Sequence, residues 1–268
     1  MGGIDMKKKL RLLLNGCGIV ALVFAAFMFG KSNLADERKV YIASERARQT
    51  IVSLIGEEVP DELPTVKQME SIDETYLTIH GSSLEGVEHL TKLEAINYYP
   101  DESGALIDLR PLGKMKNLKS IDNYSHRTDD KATEMVQDIS FLANLDKLEV
   151  LRLNHFPVLD LTPLSNLKKL KLVQLNSMIT APTAVVEKES KKIMFGHPVK
   201  YSSQFNNAVK KTYVSGAEKV EIENDIITIH NIMDKEEVIT VSISAISKTE
   251  DGNYYNYNLN YVIPLIWK

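Results

Sequence analysis

The stretch VLRLNHFPVLDLTPLSNLKKLKLVQLN, residues 150–176, decides the fold because its leucines recur with two different spacings. The three-residue steps over 158–170 resemble one face of an amphipathic helix. Pro157 and Pro163 argue against that helix, since a proline inside a helix costs about 3 kcal/mol. The alternation Leu-Arg-Leu at 151–153 predicts a short strand with one buried face. We therefore expect a strand followed by a segment that turns a corner every few residues.

The leucine pattern restarts at Leu170, twenty-two residues after the equivalent Leu148. A period of this length is typical of a repeat protein. The same frame runs backwards through the chain, and a shortened first copy covers residues 77–90. An Asp-[Ile/Leu]-x-[Pro/Phe]-Leu element occurs three times, at Asp108, Asp138 and Asp160. The chain is therefore predicted to contain four to five copies of one unit.

The frame L-x-x-L-x-L with D-[IL]-x-P-L-x-x-L resembles the leucine-rich repeat of the internalins, which are surface and secreted proteins of Gram-positive bacteria. The stretch SSLEGVEHLTKLEAI (82–96) is similar to an internalin first repeat, and the helical stretch before it is similar to the N-terminal cap of that family. The resemblance covers residues 36–180 well. It implies a small internalin without a wall anchor, whose repeats bind a protein partner.

The chain is predicted to contain four segments. These are a signal peptide or membrane anchor over 1–35, a helical cap over 36–70, leucine-rich repeats over 71–178, and an immunoglobulin-like β-sandwich over 179–268. The sandwich is predicted from alternating strands and from the hairpin turn KTEDGN (248–253). The predicted fold class is therefore an α/β leucine-rich-repeat solenoid with an N-terminal helical cap, followed by an all-β immunoglobulin-like sandwich.

Two helices are predicted in the cap. Apolar residues with helical spacing extend over 36–55, and Gly56 is placed to end this helix. Thr65 and Gln68 have the spacing of a capping box and predict the start of a second, shorter helix.

The final strand alternates tyrosine or leucine with asparagine. Tyr255, Tyr257, Leu259 and Tyr261 share one face, which is interpreted as core packing or as a carbohydrate-binding stripe. The asparagines between them share the other face.

Charge and cysteine content exclude several functions. Residues 32–268 contain 27 Lys+Arg and 35 Asp+Glu, a net charge of −8, so nucleic acid is not expected as a partner. Cys17 is the only cysteine, which excludes an intramolecular disulfide and a multi-cysteine zinc site.

The N-terminal segment is basic and then apolar. No charged residue occurs from Leu12 to Gly30, a length that suits either a long signal-peptide core or a minimal membrane span. The basic residues before it place the rest of the chain outside the cell. We therefore expect an extracellular protein, either secreted or anchored to the outer face of the membrane, with membrane contact only through this segment.

The side chains between the buried leucines of each strand are predicted to face a concave surface, where neighbouring strands lie about 4.8 Å apart. Aromatic residues and an arginine among short polar residues suit protein recognition. A plain solvated sheet surface is the alternative. The predicted partner-binding residues are Asn97, Tyr99, Asp122, Tyr124, Arg152, Asn154, Gln174 and Asn176.

Two repeats are longer than the twenty-two-residue unit. The surplus lies at 99–104 and at 124–137. Insertions of this kind emerge at one edge of a repeat protein, commonly on the binding side. The longer insertion is interpreted either as a short helix beside the concave face or as neutral drift.

No catalytic motif is present. The six histidines lack His-Glu-x-x-His spacing, and there is no Gly-x-Ser-x-Gly elbow or phosphate loop, so we expect no enzyme and no cofactor. His126 with Asp129 and Asp130 is interpreted as a solvated loop instead of a metal site. The recurring aspartates Asp108, Asp138 and Asp160 are expected to cap backbone donors at corners.

Two functions follow from the sequence. The first is an exported protein-binding module that binds a host protein in adhesion or virulence. The second is a membrane-tethered envelope module that binds a bacterial surface protein or a wall polymer.

Overall fold

The computed structural model describes residues 37–101, 108–124 and 135–268. The predicted signal peptide or anchor over 1–35 lies outside the described residues. Neither α-helix in the described ranges has the length and apolarity that crossing a bilayer requires.

The described elements are mostly strands. The two α-helices are α1 (Glu45–Ile55) and α2 (Val66–Ser71). The strands of the repeats are β1 (Tyr76–Gly81), β2 (Ala95–Pro100), β3 (Ser120–Asn123), β4 (Val150–Asn154) and β5 (Leu172–Thr180). The later strands are β6 (Ala184–Val186), β7 (Ile193–Gly196), β8 (Val209–Ser215), β9 (Ala217–Glu223), β10 (Ile226–Ile232), β11 (Val238–Lys248) and β12 (Tyr254–Trp267).

Each repeat is a short strand followed by a turn of 3-10 helix. In the fourth repeat Leu151 and Leu153 are fully buried, as the alternation predicts. The return segment forms a 3-10 helix over Thr162–Asn166, in which the Leu164 amide donates to the Leu161 carbonyl at 3.0 Å. A 3-10 helix has three residues per turn, so leucines at three-residue steps all point to one side. This geometry explains the second spacing in the sequence.

One mixed sheet joins the repeats to the C-terminal strands. Its order is β1-β2-β3-β4-β5-β12-β11-β8, and β6 pairs with β12 to make nine strands. The pairs from β1 to β5 are parallel, β12 is parallel to β5 over nine residues, and β11 and β8 are antiparallel. A second sheet has the order β7-β10-β9.

The predicted fold class is wrong. The described structure is mostly β-sheet with two α-helices, and it is not an α/β leucine-rich-repeat solenoid with a helical cap followed by a separate immunoglobulin-like sandwich. An α/β class needs an α-helical crossover in each repeat, but the return segments have room for only one short 3-10 turn. The C-terminal strands alternate as predicted, yet β12 pairs with β5 and extends the sheet of the repeats. The four predicted segment boundaries stay predictions.

Tyrosines of β12 close the core of the repeats. Tyr255 and Tyr257 are buried, and their hydroxyls donate to the carbonyls of Leu170 and Val158, both at 2.8 Å. Burial raises the pKa of Tyr257. Of the two interpretations of this row, core packing is confirmed for Tyr255, Tyr257 and Leu259, while Tyr261 is partly buried against the same core. The core of the repeats and of the C-terminal strands is one continuous cluster.

The two cap helices differ in how well they were predicted. The capping box of Thr65 and Gln68 is present, with both hydrogen bonds formed, and Gly56 ends α1 in the left-handed conformation. The prediction that the first helix begins at residue 36 is wrong, because α1 begins at Glu45. Before it, Val40 and Ile42 are buried in non-helical backbone, Lys39 forms a bridge with Thr65, and the Val40 amide donates to the Pro64 carbonyl at 2.7 Å. Packing against α2 therefore replaces helical structure there.

The corner aspartates cap backbone donors, as expected. A carboxylate oxygen of Asp108, Asp138 and Asp160 accepts the backbone N–H two residues later, at 2.9, 2.8 and 2.9 Å. The pKa of each is lowered, first by a hydrogen bond from a side chain at that same later position. These three corners therefore fix the entry to the return segments at Arg110–Lys114, Ser140–Asn144 and Thr162–Asn166.

Candidate functional site

Seven of the eight predicted residues lie on strands of the nine-stranded sheet, and six of them are in register with one another. Asn97 pairs with Asp122, Asp122 with Arg152, and Arg152 with Gln174 on successive strands. Asn154 pairs with Asn176 in the next row. The eighth residue, Tyr124, follows β3 directly, and its ring lies beside that of Tyr99 on β2. We call the side of the sheet that carries these residues the outer face; that it contacts a partner stays a prediction.

Three aromatic rings stack across the first three strands. The centroids of His80 and Tyr99 are 4.9 Å apart with planes 17° from parallel, and those of Tyr99 and Tyr124 are 4.8 Å apart at 7°. The separation matches the distance between neighbouring strands, so parallel pairing sets the stack. Tyr99 therefore has a ring against each of its faces. We call His80, Tyr99 and Tyr124 the ring stack.

An ion pair lies beside the ring stack. Arg152 Nη1 donates to Asp122 Oδ2 at 2.9 Å, and Arg152 Nε donates to Gln174 Oε1 at 2.8 Å. The Asp122 side chain is only 3% exposed, whereas that of Arg152 is 35% exposed. The pKa of Tyr124 is raised, first by a hydrogen bond to the Asp122 carboxylate and then by its negative charge. The Asp122 carboxylate therefore lies near both the ring stack and the ion pair.

A ladder of asparagine amides continues the outer face across three strands. Asn176 Nδ2 donates to Asn154 Oδ1 at 3.2 Å, and Asn258 Nδ2 donates to Asn176 Oδ1 at 2.9 Å. Asn258 belongs to β12, so the ladder crosses from the repeats into the C-terminal strands. We call Asn154, Asn176 and Asn258 the amide ladder. Each amide is oriented by its neighbour, which fixes the remaining donors and acceptors.

Sequence reasoning missed both ends of this face. At one end, β1 supplies Tyr76, Thr78 and His80; Asn97 Nδ2 donates to the Tyr76 hydroxyl at 2.7 Å. Their alternation with Leu77 and Ile79 in the shortened first copy is the signal that could have identified them.

At the other end, β12 and β11 supply polar residues in the same rows. Ser242 Oγ donates to Asn260 Oδ1 at 2.9 Å, and Ser244 pairs with Asn258. The asparagines of β12 were predicted to share one face, but they were assigned to a separate sandwich. Their position beside β5 places them on the outer face.

The insertions and the weak metal candidate fall largely outside the described residues. Residues 102–107 and 125–134 are not described, so the interpretation of the insertions at 99–104 and 124–137 and of His126, Asp129 and Asp130 lies outside the structure. Within the described ranges no group of three or more His, Cys, Asp or Glu side chains is arranged to hold a metal ion.

No protein-family model matches the sequence, and no curated protein matches it. Among solved structures, the chain is similar to the internalin InlF of Listeria monocytogenes, with 27% identity and a TM-score of 0.39. That match covers 50% of this chain and 38% of the internalin, so this chain spans about two fifths of that protein.

Two further solved structures are similar over more of this chain. InlP of Listeria monocytogenes is 9% identical with a TM-score of 0.25, and the match covers 85% of this chain and 100% of that chain. A structure of the CBM51-2 domain in complex with GlcNAc and the INT domains of ZmpB from Clostridium perfringens is 18% identical with a TM-score of 0.30, covering 85% of this chain and 36% of that chain. These likenesses are at the level of the fold.

Proposed function

We propose that this chain is an exported protein-binding module of a Gram-positive bacterium, and that its outer face binds a protein partner. The observation that supports this most is the ring stack beside the Asp122–Arg152–Gln174 network. Tyrosine and arginine are the residue types that dominate binding energy at protein interfaces. A host protein, bound in adhesion or virulence, is the first partner class to test.

The stacking favours a protein partner over a sugar. An aromatic platform for a sugar presents an open ring face, but both faces of Tyr99 lie against neighbouring rings. The ring stack presents ring edges and hydroxyl groups instead. Edges of this kind suit the mixed apolar and polar contacts of a protein surface.

The contacts within the outer face also favour tight recognition. Side chains that are already ordered lose less conformational freedom on binding, which otherwise costs about 0.5–1.5 kcal/mol for each immobilised side chain. The hydrogen bonds of Arg152 and of the amide ladder hold these groups in place before a partner arrives. The proposed role is binding without catalysis, which agrees with the lack of a catalytic motif in the sequence.

The alternative is a membrane-tethered envelope module that binds a bacterial surface protein or a wall polymer. The uncharged segment from Leu12 to Gly30 supports a tether if it is retained. The amide ladder supports a polymer ligand, because its outward amide groups can exchange hydrogen bonds with acetamido sugars.

Binding is tested with matched tyrosine variants. The double variant Tyr99→Ala with Tyr124→Ala removes two rings of the stack, whereas Tyr41→Ala removes a ring that is 63% exposed outside the outer face. The probes are host-cell surface protein extract, envelope protein extract of the producing bacterium, and purified wall sacculi. We expect a protein that binds the unchanged chain and Tyr41→Ala but binds the double variant at least about tenfold more weakly.

The outcomes separate the proposals. Equal binding by the double variant contradicts a role for the ring stack, and sedimentation with sacculi alone favours the wall-polymer alternative. Expression in a Gram-positive host, with separation of medium from membrane and determination of the N-terminal residue, then distinguishes release from tethering. A chain that begins near Asn33 or Asp36 in the medium supports secretion.

A further inference from the structure

The two edges of the nine-stranded sheet are treated differently. At the first edge α1 packs against β1: a Cβ atom added at Gly81 would lie 2.0 Å from Ser44 Oγ and 3.7 Å from Ala47 Cβ. The last strand is β8, and in the described part of the chain no strand pairs with its outer edge. An open edge presents a row of backbone donors and acceptors to another chain.

The β8 edge lacks most of the features that block pairing. Its seven residues pair with β11 in one unbroken register from Val209–Ile246 to Ser215–Thr240, without a bulge or a proline. Lys210 Nζ lies 4.3 Å from the centroid of the Tyr201 ring, so its charge is held against the opposite side of the sheet. Lysine at an edge is a common protection against pairing, and here only Lys211 stands with the outer face.

The edge strand of the smaller sheet provides an internal contrast. β9 carries charged residues at four of seven positions, namely Glu218, Lys219, Glu221 and Glu223. β8 instead exposes apolar surface, with Val209 64% and Tyr213 60% exposed. β9 also exposes Ile222, at 47%, but β8 has only two charged residues, Lys210 and Lys211, so its edge is less protected by charge than that of β9.

We propose that β8 pairs with β8 of a second copy, antiparallel and centred on Thr212. In that register Thr212 faces its own copy, Lys211 faces Tyr213, Lys210 faces Val214, and Val209 faces Ser215. Each lysine thus meets an aromatic or apolar residue, and the central threonine pair is a favourable cross-strand pair. All seven residues of both strands take part.

The neighbouring registers are worse. When two identical strands pair antiparallel, side chains of the same type lie on the same face only if the two-fold axis passes through a residue. The nearest alternative registers are therefore centred on Lys211 or on Tyr213. A centre on Lys211 places two ammonium groups opposite each other, and like charges directly opposite destabilise a pair. A centre on Tyr213 shortens the overlap to five residues. The sequence of β8 therefore selects Thr212 as the centre.

Pairing at this edge continues the outer face across two copies. A two-fold axis perpendicular to the sheet keeps Lys211 and Tyr213 of both copies on the same side. The inference rests on β8 alone and does not depend on the proposed partner binding.

Cysteine cross-linking of the full chain in detergent solution tests the register. The chain has one cysteine, so Cys17→Ser provides a background without thiols. Added to it, Thr212→Cys places two thiols on opposed residues, whose Cα atoms lie about 4.5–5.5 Å apart in an antiparallel pair. That distance lies within the range of about 4.4–6.8 Å that a disulfide spans. The matched control is Val209→Cys, whose two copies would lie about 20 Å apart along the strands.

We expect a cross-linked dimer from Thr212→Cys under mild oxidation and none from Val209→Cys. Equal cross-linking of both variants, or none of either, would overturn the proposal. The control also accounts for association through the N-terminal segment. Such association would bring the two copies together equally in both variants, so it cannot explain cross-linking at position 212 alone.

Charge variants at Tyr213 provide a second measurement on the same dimer. Tyr213→Lys opposes two pairs of ammonium groups and is expected to weaken the dimer about tenfold, whereas Tyr213→Glu introduces two attractive pairs and is expected to tighten it. Sedimentation across a concentration series measures both dissociation constants. A chain that stays monomeric at every concentration, or a dimer that Tyr213→Glu weakens, would refute the proposed pairing with a second copy.

Discussion

The repeat strands β1–β5 and the C-terminal strands β12, β11 and β8 share one sheet but build its outer face in different ways. In the repeats, side chains of neighbouring strands touch in matched contacts: ring on ring, acid on base, and amide on amide. In β11 and β8 the same face has small serines and then exposed Val209 and Tyr213. In the repeats, parallel in-register pairing places equivalent positions side by side, so repetition in the sequence produces an ordered surface. The C-terminal strands mainly extend the sheet and close its core.

The largest expected effect comes from the residue that joins the two regions. Tyr257 is fully buried on β12, and its hydroxyl donates to the Val158 carbonyl of the last repeat. We expect Tyr257→Ala to lower the free energy of unfolding by about 3–5 kcal/mol, because it leaves a cavity in the shared core. Urea denaturation should show a single transition that moves to lower urea as a whole.

Two matched variants sharpen this test. Tyr257→Phe keeps the ring and removes only the hydrogen bond, so about 1 kcal/mol is expected. Tyr213→Ala removes a ring of β8 that is 60% exposed and should change stability by less than about 0.5 kcal/mol at a protein concentration at which the chain is monomeric. Two separate transitions in Tyr257→Ala would contradict the single core and would show that the repeats and the C-terminal strands unfold independently.

The sequence predicted local features better than it predicted strand partners. The strand at 151–153, the corner aspartates and the capping box depend on residues within a few positions of each other, and all are present. The alternation of β12 correctly assigned tyrosine to the core. Its partner β5 lies about eighty residues earlier, and no local pattern specifies that pairing, so the fold class was wrong.

Spacing alone was also ambiguous for helices. The three-residue steps at 158–170 fit an α-helix, but a 3-10 turn satisfies them too, and Pro163 near its start favours the shorter form. In the cap, residues 37–44 fit a helical period but are not helical, because the Val40 amide donates to the Pro64 carbonyl just before α2 and Ile42 is buried beside Gly86. A proline decided between the two local solutions at 158–170, and tertiary packing decided between them in the cap.

The candidate site was predictable where the repeat was regular. The alternation placed seven of the eight residues on the repeat strands, six of them in register with one another, and the ring stack follows from strand spacing once the pairing is known. His80 was missed because the first copy is shortened, and Asn258 was missed because its strand was assigned elsewhere. The outer face is therefore wider than the sequence indicated.

A smaller effect is expected at the ion pair of the repeat region. Arg152→Met leaves the buried Asp122 carboxylate without its cation, and we expect a loss of about 2–3 kcal/mol, less than for a fully buried pair because Arg152 is partly exposed. Lys211→Met, at the exposed β8 end of the same face, should cost less than about 0.5 kcal/mol at a protein concentration at which the chain is monomeric. Thermal or urea denaturation of both variants measures the difference.

Adding Asp122→Asn to Arg152→Met identifies the cause. A neutral amide needs no counter-charge, so the double variant should recover a large part of the stability that the single variant loses. If it recovers none, the loss would come from packing of the arginine stem, and the contrast between the two halves of the outer face would not be electrostatic.

The smallest expected effect depends on pH and is confined to the repeat region. Asp160 accepts the backbone N–H and the hydroxyl of Thr162 at 2.9 and 2.6 Å, and its pKa lies below the ordinary 3.8. A carboxylate with a lowered pKa in the folded protein adds stability above its unfolded pKa, and that stability is lost as the pH falls through the folded value. Asp160→Ala should therefore lower the free energy of unfolding by about 0.5–1 kcal/mol at neutral pH, a value already reduced for solvent screening, and by progressively less below about pH 4. Urea denaturation at a series of pH values measures this difference.

Glu250→Ala, in the turn between β11 and β12, is the matched control, and its effect on the free energy of unfolding should not depend on pH in this way. If Asp160→Ala lowers the free energy of unfolding by the same amount at neutral and at acid pH, the charge of the carboxylate does not stabilise the corner. The contribution of Asp160 would then be independent of its ionisation.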